Sequence, residues 1–166
     1  MEVEVIIFML DLRNASRRWK TLALFTALIS FSLAPFACGA DPWTPSDVLE
    51  PAALAKQLTS SKTKPVILQV GFFTLYKQSH IPGAEYCGPA SNAEGMAKLR
   101  KCAEKISRTK MVVIYCGCCP WKDCPNVRPA FAELKKLGFK NLKVLNIPRT
   151  FGQDWVKKGY PVASTN

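Results

Sequence analysis

An α/β domain with a mostly parallel central sheet and helices on both faces is the fold class this sequence predicts. Three observations lead there. Short apolar runs rich in β-branched residues, "PVILQV" (65–70), "MVVIYC" (111–116) and "NLKVLNI" (141–147), read as buried strands. Segments with apolar residues at helical spacing alternate with them, the pattern of parallel strands joined by helical crossovers. The chain of 166 residues, 48% hydrophobic and 21% charged, has the length and balance of one globular domain with a core.

The domain is expected to start only after a leader. Arg17, Arg18 and Lys20 precede the uncharged stretch "TLALFTALISFSLAPF", and the small residues Ala37, Cys38, Gly39 and Ala40 follow it. A basic end, an apolar segment and small residues at its exit describe a secretory signal over residues 1–40, with the domain at 41–166 and an exported, periplasmic or extracellular location. The apolar stretch is shorter than the ~20 residues a spanning helix needs. An uncleaved membrane anchor is the alternative, and the only route by which a membrane would become a partner. A lipid-modified Cys38 is disfavoured by Pro35 and Phe36 before it, and Met9 is an alternative start.

Beyond residue 40, nineteen Lys and Arg face nine Asp and Glu, a net charge of +10. Such a surface attracts small anions. The basic residues are spread along the chain without an interleaved aromatic platform, so nucleic acid is not an expected partner.

Each element has its own signal. "EPAALAKQL" (50–58) reads as a short helix, with Pro51 in its first turn and Leu54 and Leu58 on one face. "PVILQV" is a strand, and "SHIPGAEY" (79–86) carries turn chemistry at Pro82-Gly83. "SNAEGMAKLRKCAEKI" (91–106) places Met96, Leu99, Cys102 and Ile106 on one helical stripe. "MVVIYC" is the strongest strand signal. "NVRPAFAELKKLGF" (126–139) is a helix capped by Asn126, with Pro129 in its first turn and Gly138 as its stop; Val127, Ala130, Phe131, Leu134 and Leu137 form its buried stripe. "NLKVLNI" is the last strand, and "FGQDWVKKGYPV" (151–162) a short helix and tail.

Between the strongest strand and that helix lies "CGCCPWKDCPNVR" (116–128), which packs four of the seven cysteines, Cys116, Cys118, Cys119 and Cys124, into nine residues. A loop from a strand end to a helix start gathers backbone N–H groups and the positive end of the helix dipole, a cradle for an anion. A cysteine at the entry of such a cradle has a lowered pKa. Cys116 is therefore the expected nucleophile, with Lys122 and Arg128 adding positive charge. Gly117, Cys118, Cys119, Trp121 and Lys122 are the expected substrate-binding residues. Cys118, Cys119 or Cys124 are candidates to resolve a persulfide or form a disulfide. Cys87 and Cys102 are small buried hydrophobes or a mutual disulfide in an oxidising compartment. Other chemistries stay open: a zinc or copper(I) clamp by Cys116, Cys118, Cys119 and Cys124, a redox pair Cys116–Cys119, or an inactive binding module.

These pieces, in this order, resemble the rhodanese superfamily of sulfurtransferases. "PVILQVGFFTLYKQSHIPGAEY" is similar to the family's first strand and its "HIPGA" turn. "MVVIYC" is similar to the strand ending in the catalytic cysteine, and "RPAFAELKKLGFKNLKVL" to the following helix, turn and strand. The resemblance covers about residues 47 to 162 and implies a rhodanese-like fold. It also implies Cys116 as the residue that carries sulfur as a persulfide, Arg128 closing the active-site loop, a small sulfur-containing anion such as thiosulfate as donor, a thiol or protein acceptor, and no cofactor. Two features depart from the family. Gln69, Val70 and Gly71 stand where an Asp-Val-Arg pattern is usual. Twelve positions separate Cys116 from Arg128, where five or six are typical.

Overall fold

The structure is a computed structural model that describes residues 41–60 and 63–165; the expected leader over 1–40 lies outside the described residues. Five strands, β1 (Val48–Leu49), β2 (Val66–Gln69), β3 (Ala84–Tyr86), β4 (Val112–Tyr115) and β5 (Leu142–Leu145), form one sheet in the order β1-β5-β4-β2-β3. Every pairing is parallel. The helices are α1 (Pro51–Ser60), α2 (Phe73–Gln78), α3 (Ala93–Glu104), α4 (Val127–Lys136) and α5 (Phe151–Asp154).

Successive strand residues point to opposite faces, and both faces are buried. Leu68, Val112, Ile114, Leu142 and Val144 pack with Leu99, Ala130, Phe131 and Leu134 of α3 and α4. Ile67, Val113, Tyr115 and Leu145 pack with Leu54 of α1 and Phe151 and Trp155 at the carboxyl end. Each fully buried aliphatic side chain contributes roughly 1.5–3 kcal/mol relative to exposure, so β4, buried at all four positions, is the spine of the domain.

The expected α/β architecture is thus present, with an all-parallel sheet. Three elements carry weaker sequence signals: β1 has two residues, β3 follows the "HIPG" turn, and α2 has six residues with a half-exposed Phe73. The carbonyl ends of α4 are closed as expected by Gly138 at φ +89°, a conformation that favours glycine. Asn92 caps α3 through a 2.8 Å bond from the Gly95 N–H. Cys87, just after β3, and Cys102, in α3, face each other with their Cα atoms 6.1 Å apart, the disposition of a disulfide pinning that helix to the sheet edge. Among the described residues no helix is long and apolar enough to cross a membrane.

Candidate active site

Parallel α/β sheets bind ligands beyond the carboxyl ends of their strands, and Cys116 is the first residue after β4, flanked by β2 and β5. The register pairs Gln69 of β2 with Tyr115 of β4. Gln69 is buried there and donates its side-chain Nε2 to the Cys116 carbonyl at 3.0 Å, while its Oε1 accepts from the Gly71 N–H at 3.3 Å. Gly71 gives Cys116 its space: a Cβ at that position would lie 2.6 Å from the Cys116 Sγ. The next residue, Gly117, takes φ +89°, and its carbonyl accepts from the Phe151 N–H at 3.0 Å. That turn brings the Cys118 Sγ back to 3.2 Å from the Cys116 Sγ.

The sulfurs form a cluster. Those of Cys116, Cys118 and Cys124 all lie within 4.8 Å of one another, and the Cys119 Sγ is 3.3 Å from that of Cys118. Cys116 and Cys124 are buried, Cys118 and Cys119 half-buried. The expected amide cradle is displaced by one cysteine. Hydrogen bonds from the Cys116 thiol and from the N–H groups of Asn126 and Val127, at the start of α4, outweigh burial and hold the Cys124 thiol down at about 5. Cys116 moves the other way. Its bond to Cys124, its burial and the charge of Cys124 push its pKa up, against the pull of the Cys118 N–H. The expectation of a lowered pKa at Cys116 is therefore corrected: the helix-start amides converge on Cys124, and the two thiols share one proton and one negative charge. Burial, with the bonds to Cys118 and Cys124, also pushes Cys119 up.

A cavity of about 410 Å³ opens beside Cys116, Gly117 and Cys118. Leu75, Tyr115, Phe151 and Val156 give it apolar walls, and Gln69, Gln78, Ser79 and Thr150 supply polar groups. Among the described residues, none that lines it is charged.

The other expected site residues lie elsewhere. Arg128 donates its Nε to the Lys122 carbonyl at 2.7 Å, pairs with Asp41, and lies 5.3 Å over the Trp43 ring. It ties the cysteine loop to the start of the domain and does not line the Cys116 cavity. The reason is helical phase: Val127, Ala130, Phe131 and Leu134 face the core, and Arg128 falls off that stripe. Trp121 is buried against Trp43 at a ring distance of 4.9 Å, and its backbone N–H donates to the Ile147 carbonyl at 3.0 Å, so it anchors the loop. Trp121 and Lys122 line a separate depression with Asn146 and Pro148. Asn126 is not a side-chain cap. It is fully buried, accepts from the Ser91 N–H at 3.0 Å and aims its Nδ2 at the Cys116 Sγ at 3.5 Å.

Gly71, Gln69 and Asn126 thus join the site; the departure at Gln69-Val70-Gly71 reads in the sequence as the loss of an ion pair that leaves the nucleophile untouched, and the structure corrects this by setting both Gln69 and Gly71 against Cys116. Gly71→Ala is expected to slow sulfur loading of Cys116 by roughly tenfold or more and to cost about 1–3 kcal/mol, as overpacking does; single-turnover kinetics and a denaturant melt check both. The shared charge gives a pH signature. Unfolded thiols titrate near ~8.5, so from about pH 5 to ~8.5 the unfolded chain binds the extra proton and stability rises with pH. Above that window the raised Cys116 reverses the slope. Thiolate ultraviolet absorbance is expected to show one thiolate lost near pH 5, and Cys124→Ala is expected to remove both that transition and the slope.

Residues 50–147 match the Rhodanese-like domain family. No curated protein matches the chain. Among solved structures, the chain is similar to the BH2092 protein from Bacillus halodurans, at 23% identity and TM-score 0.57, covering 72% of this chain and 78% of that one. It is similar to the rhodanese-like domain of a protein from Anabaena sp., at 18% identity and TM-score 0.54, covering 71% and 79%. A thiosulfate sulfurtransferase from Pseudomonas aeruginosa has 23% identity and TM-score 0.53 over 76% of this chain but 20% of its own length. With the all-parallel sheet, the strand-end cysteine and a family match over most of the described domain, this chain belongs to the rhodanese-like domain family.

Proposed function

We propose that the chain is an exported sulfurtransferase that carries sulfur as a persulfide on Cys116. The observation that carries this reading is the placement of a cysteine at the end of the central strand, on the wall of a cavity, with its sulfur within 4.8 Å of that of Cys124, whose pKa is lowered by its hydrogen bonds. As a donor enters, the Cys116 proton passes to the Cys124 thiolate and Cys116 becomes the nucleophile. Its sulfur attacks the outer sulfur of thiosulfate, a new S–S bond forms, and sulfite leaves with the electron pair of the broken bond. An acceptor thiolate then attacks the outer sulfur of the persulfide and restores Cys116.

The uncharged lining makes the hydrogen-bonding groups of Gln78, Ser79 and Thr150 the anchors of the donor, and it suits an organic persulfide as well as thiosulfate. The pairing of Cys87 with Cys102 accords with an oxidising compartment. Reduced, metal-free protein mixed with thiosulfate is expected to release one sulfite per chain in a single fast phase, and mixed with glutathione persulfide to consume one persulfide per chain. No reaction with either donor overturns the reading.

A metal clamp is the second reading, favoured by the mutual closeness of three sulfurs, Cys116, Cys118 and Cys124. Cys119 stands outside that set, so three soft ligands favour copper(I) over tetrahedral zinc. One tightly held copper per purified chain, lost in Cys124→Ala, would support it.

A further inference from the structure

We propose that Cys118 resolves the Cys116 persulfide internally, so that the chain releases its sulfur as hydrosulfide and is left with a Cys116–Cys118 disulfide; this rests on the reading above. The geometry carries it. The Cys118 Sγ stands 3.2 Å from the Cys116 Sγ, which becomes the inner sulfur of the persulfide. Attack on the inner sulfur expels the outer one, whereas a transfer acceptor must attack the outer sulfur itself. Cys118 is thus placed for release and not for relay.

Three further features support the assignment. Gly117 between the two cysteines has φ +89°, and its carbonyl is held by the Phe151 N–H, so the turn that faces the sulfurs together is built into the backbone. Cys116 and Cys118 line the same cavity, which leaves a path for the small product. Cys116 is only 3% exposed, so a protein or bulky thiol acceptor reaches it less readily than the thiol already beside it. A group held at this distance acts at an effective concentration that a free thiol does not match. The Cys119 sulfur, by contrast, lies 3.3 Å from that of Cys118 and falls outside the set formed by Cys116, Cys118 and Cys124.

The step balances. The Cys118 thiol gives its proton to the outer, anionic sulfur and its sulfur bonds to the Cys116 Sγ. The bond between inner and outer sulfur breaks, and hydrosulfide leaves with its electron pair. The two cysteines are oxidised by two electrons and the sulfane sulfur is reduced by two. Turnover then calls for a dithiol reductant that reopens the Cys116–Cys118 bridge, which places the protein between a reaction that supplies sulfane sulfur and a dithiol reductant that regenerates it.

The test is a single turnover with thiosulfate and, separately, with glutathione persulfide, without added thiol, read by sulfide detection and intact mass. The full chain is expected to release one hydrosulfide and to lose the mass of two hydrogens. Cys118→Ser is expected to release at least tenfold less sulfide and to keep one added sulfur. A native chain that holds a stable added sulfur and releases none overturns this inference and leaves the sulfurtransferase reading standing. A sulfide burst that survives in Cys118→Ser and disappears in Cys119→Ser also overturns it. If neither the native chain nor Cys118→Ser reacts with either donor, both readings fall together.

Discussion

Cys116→Ser is expected to lower sulfite release from thiosulfate by at least roughly a thousandfold while leaving the fold intact. A hydroxyl is a far weaker nucleophile than a thiolate, and burial beside the Cys124 anion disfavours its ionisation further. The fold tolerates the change because Ser is slightly smaller than Cys and the Asn126 amide, 3.5 Å from the sulfur, can donate to an oxygen in its place. Single-turnover sulfite release and circular dichroism on the same sample separate loss of chemistry from loss of structure. Sulfite release within tenfold of the native rate would move the nucleophile elsewhere in the loop, Cys124 being the next to examine.

Trp155→Ala is expected to cost about 3–5 kcal/mol, the range for removing a large aromatic from a packed core. Trp155 is fully buried and heads the largest such side chains. Its ring stacks on Phe151 at 6.0 Å, meets Tyr160 edge-on at 5.1 Å, and donates its Nε1 to the Pro161 carbonyl at 2.8 Å. Domains of this size are stable by roughly 5–15 kcal/mol, so the loss takes a large fraction of the whole. The effect reaches the site as well. Phe151 stacks on Tyr115, walls the cavity and fixes the Gly117 carbonyl, so the turn between Cys116 and Cys118 loosens with it. Denaturant unfolding reads the first effect and sulfur loading the second; Trp155→Phe is expected to recover part of both.

Much of the fold was legible because buried strands and amphipathic helices carry periodic signals. The runs at 65–70, 111–116 and 141–147 lie on β2, β4 and β5, and the stripe Val127, Ala130, Phe131, Leu134 is the buried face of α4. β1, with two residues, has no period to detect. The same α4 stripe already excluded Arg128 from the inner face, and weighing that phase against the family's arginine would have placed it outward. The loop was legible only in its ends. Cys116 follows from its strand, but which thiol receives the helix-start amides depends on the path of the residues between Cys119 and Asn126, and a non-repeating segment has no pattern from which to read a path. Asn126 illustrates the ambiguity of local rules: Asn before an apolar helix is a cap by propensity, yet here its amide bridges Ser91 and Cys116. Gly71 was visible as a departure from a family pattern, while its contact with the Cys116 sulfur needs the register of β2 against β4.

Two thiols compete for the part of nucleophile, one on the cavity wall and one holding the anion, and locating the transferred sulfur decides between them. The measurement is peptide mapping of Cys118→Ser after exposure to thiosulfate and alkylation of the remaining thiols. The added sulfur is expected on Cys116. Its recovery on Cys124, or a mixture over several cysteines, would contradict a site built on the end of β4.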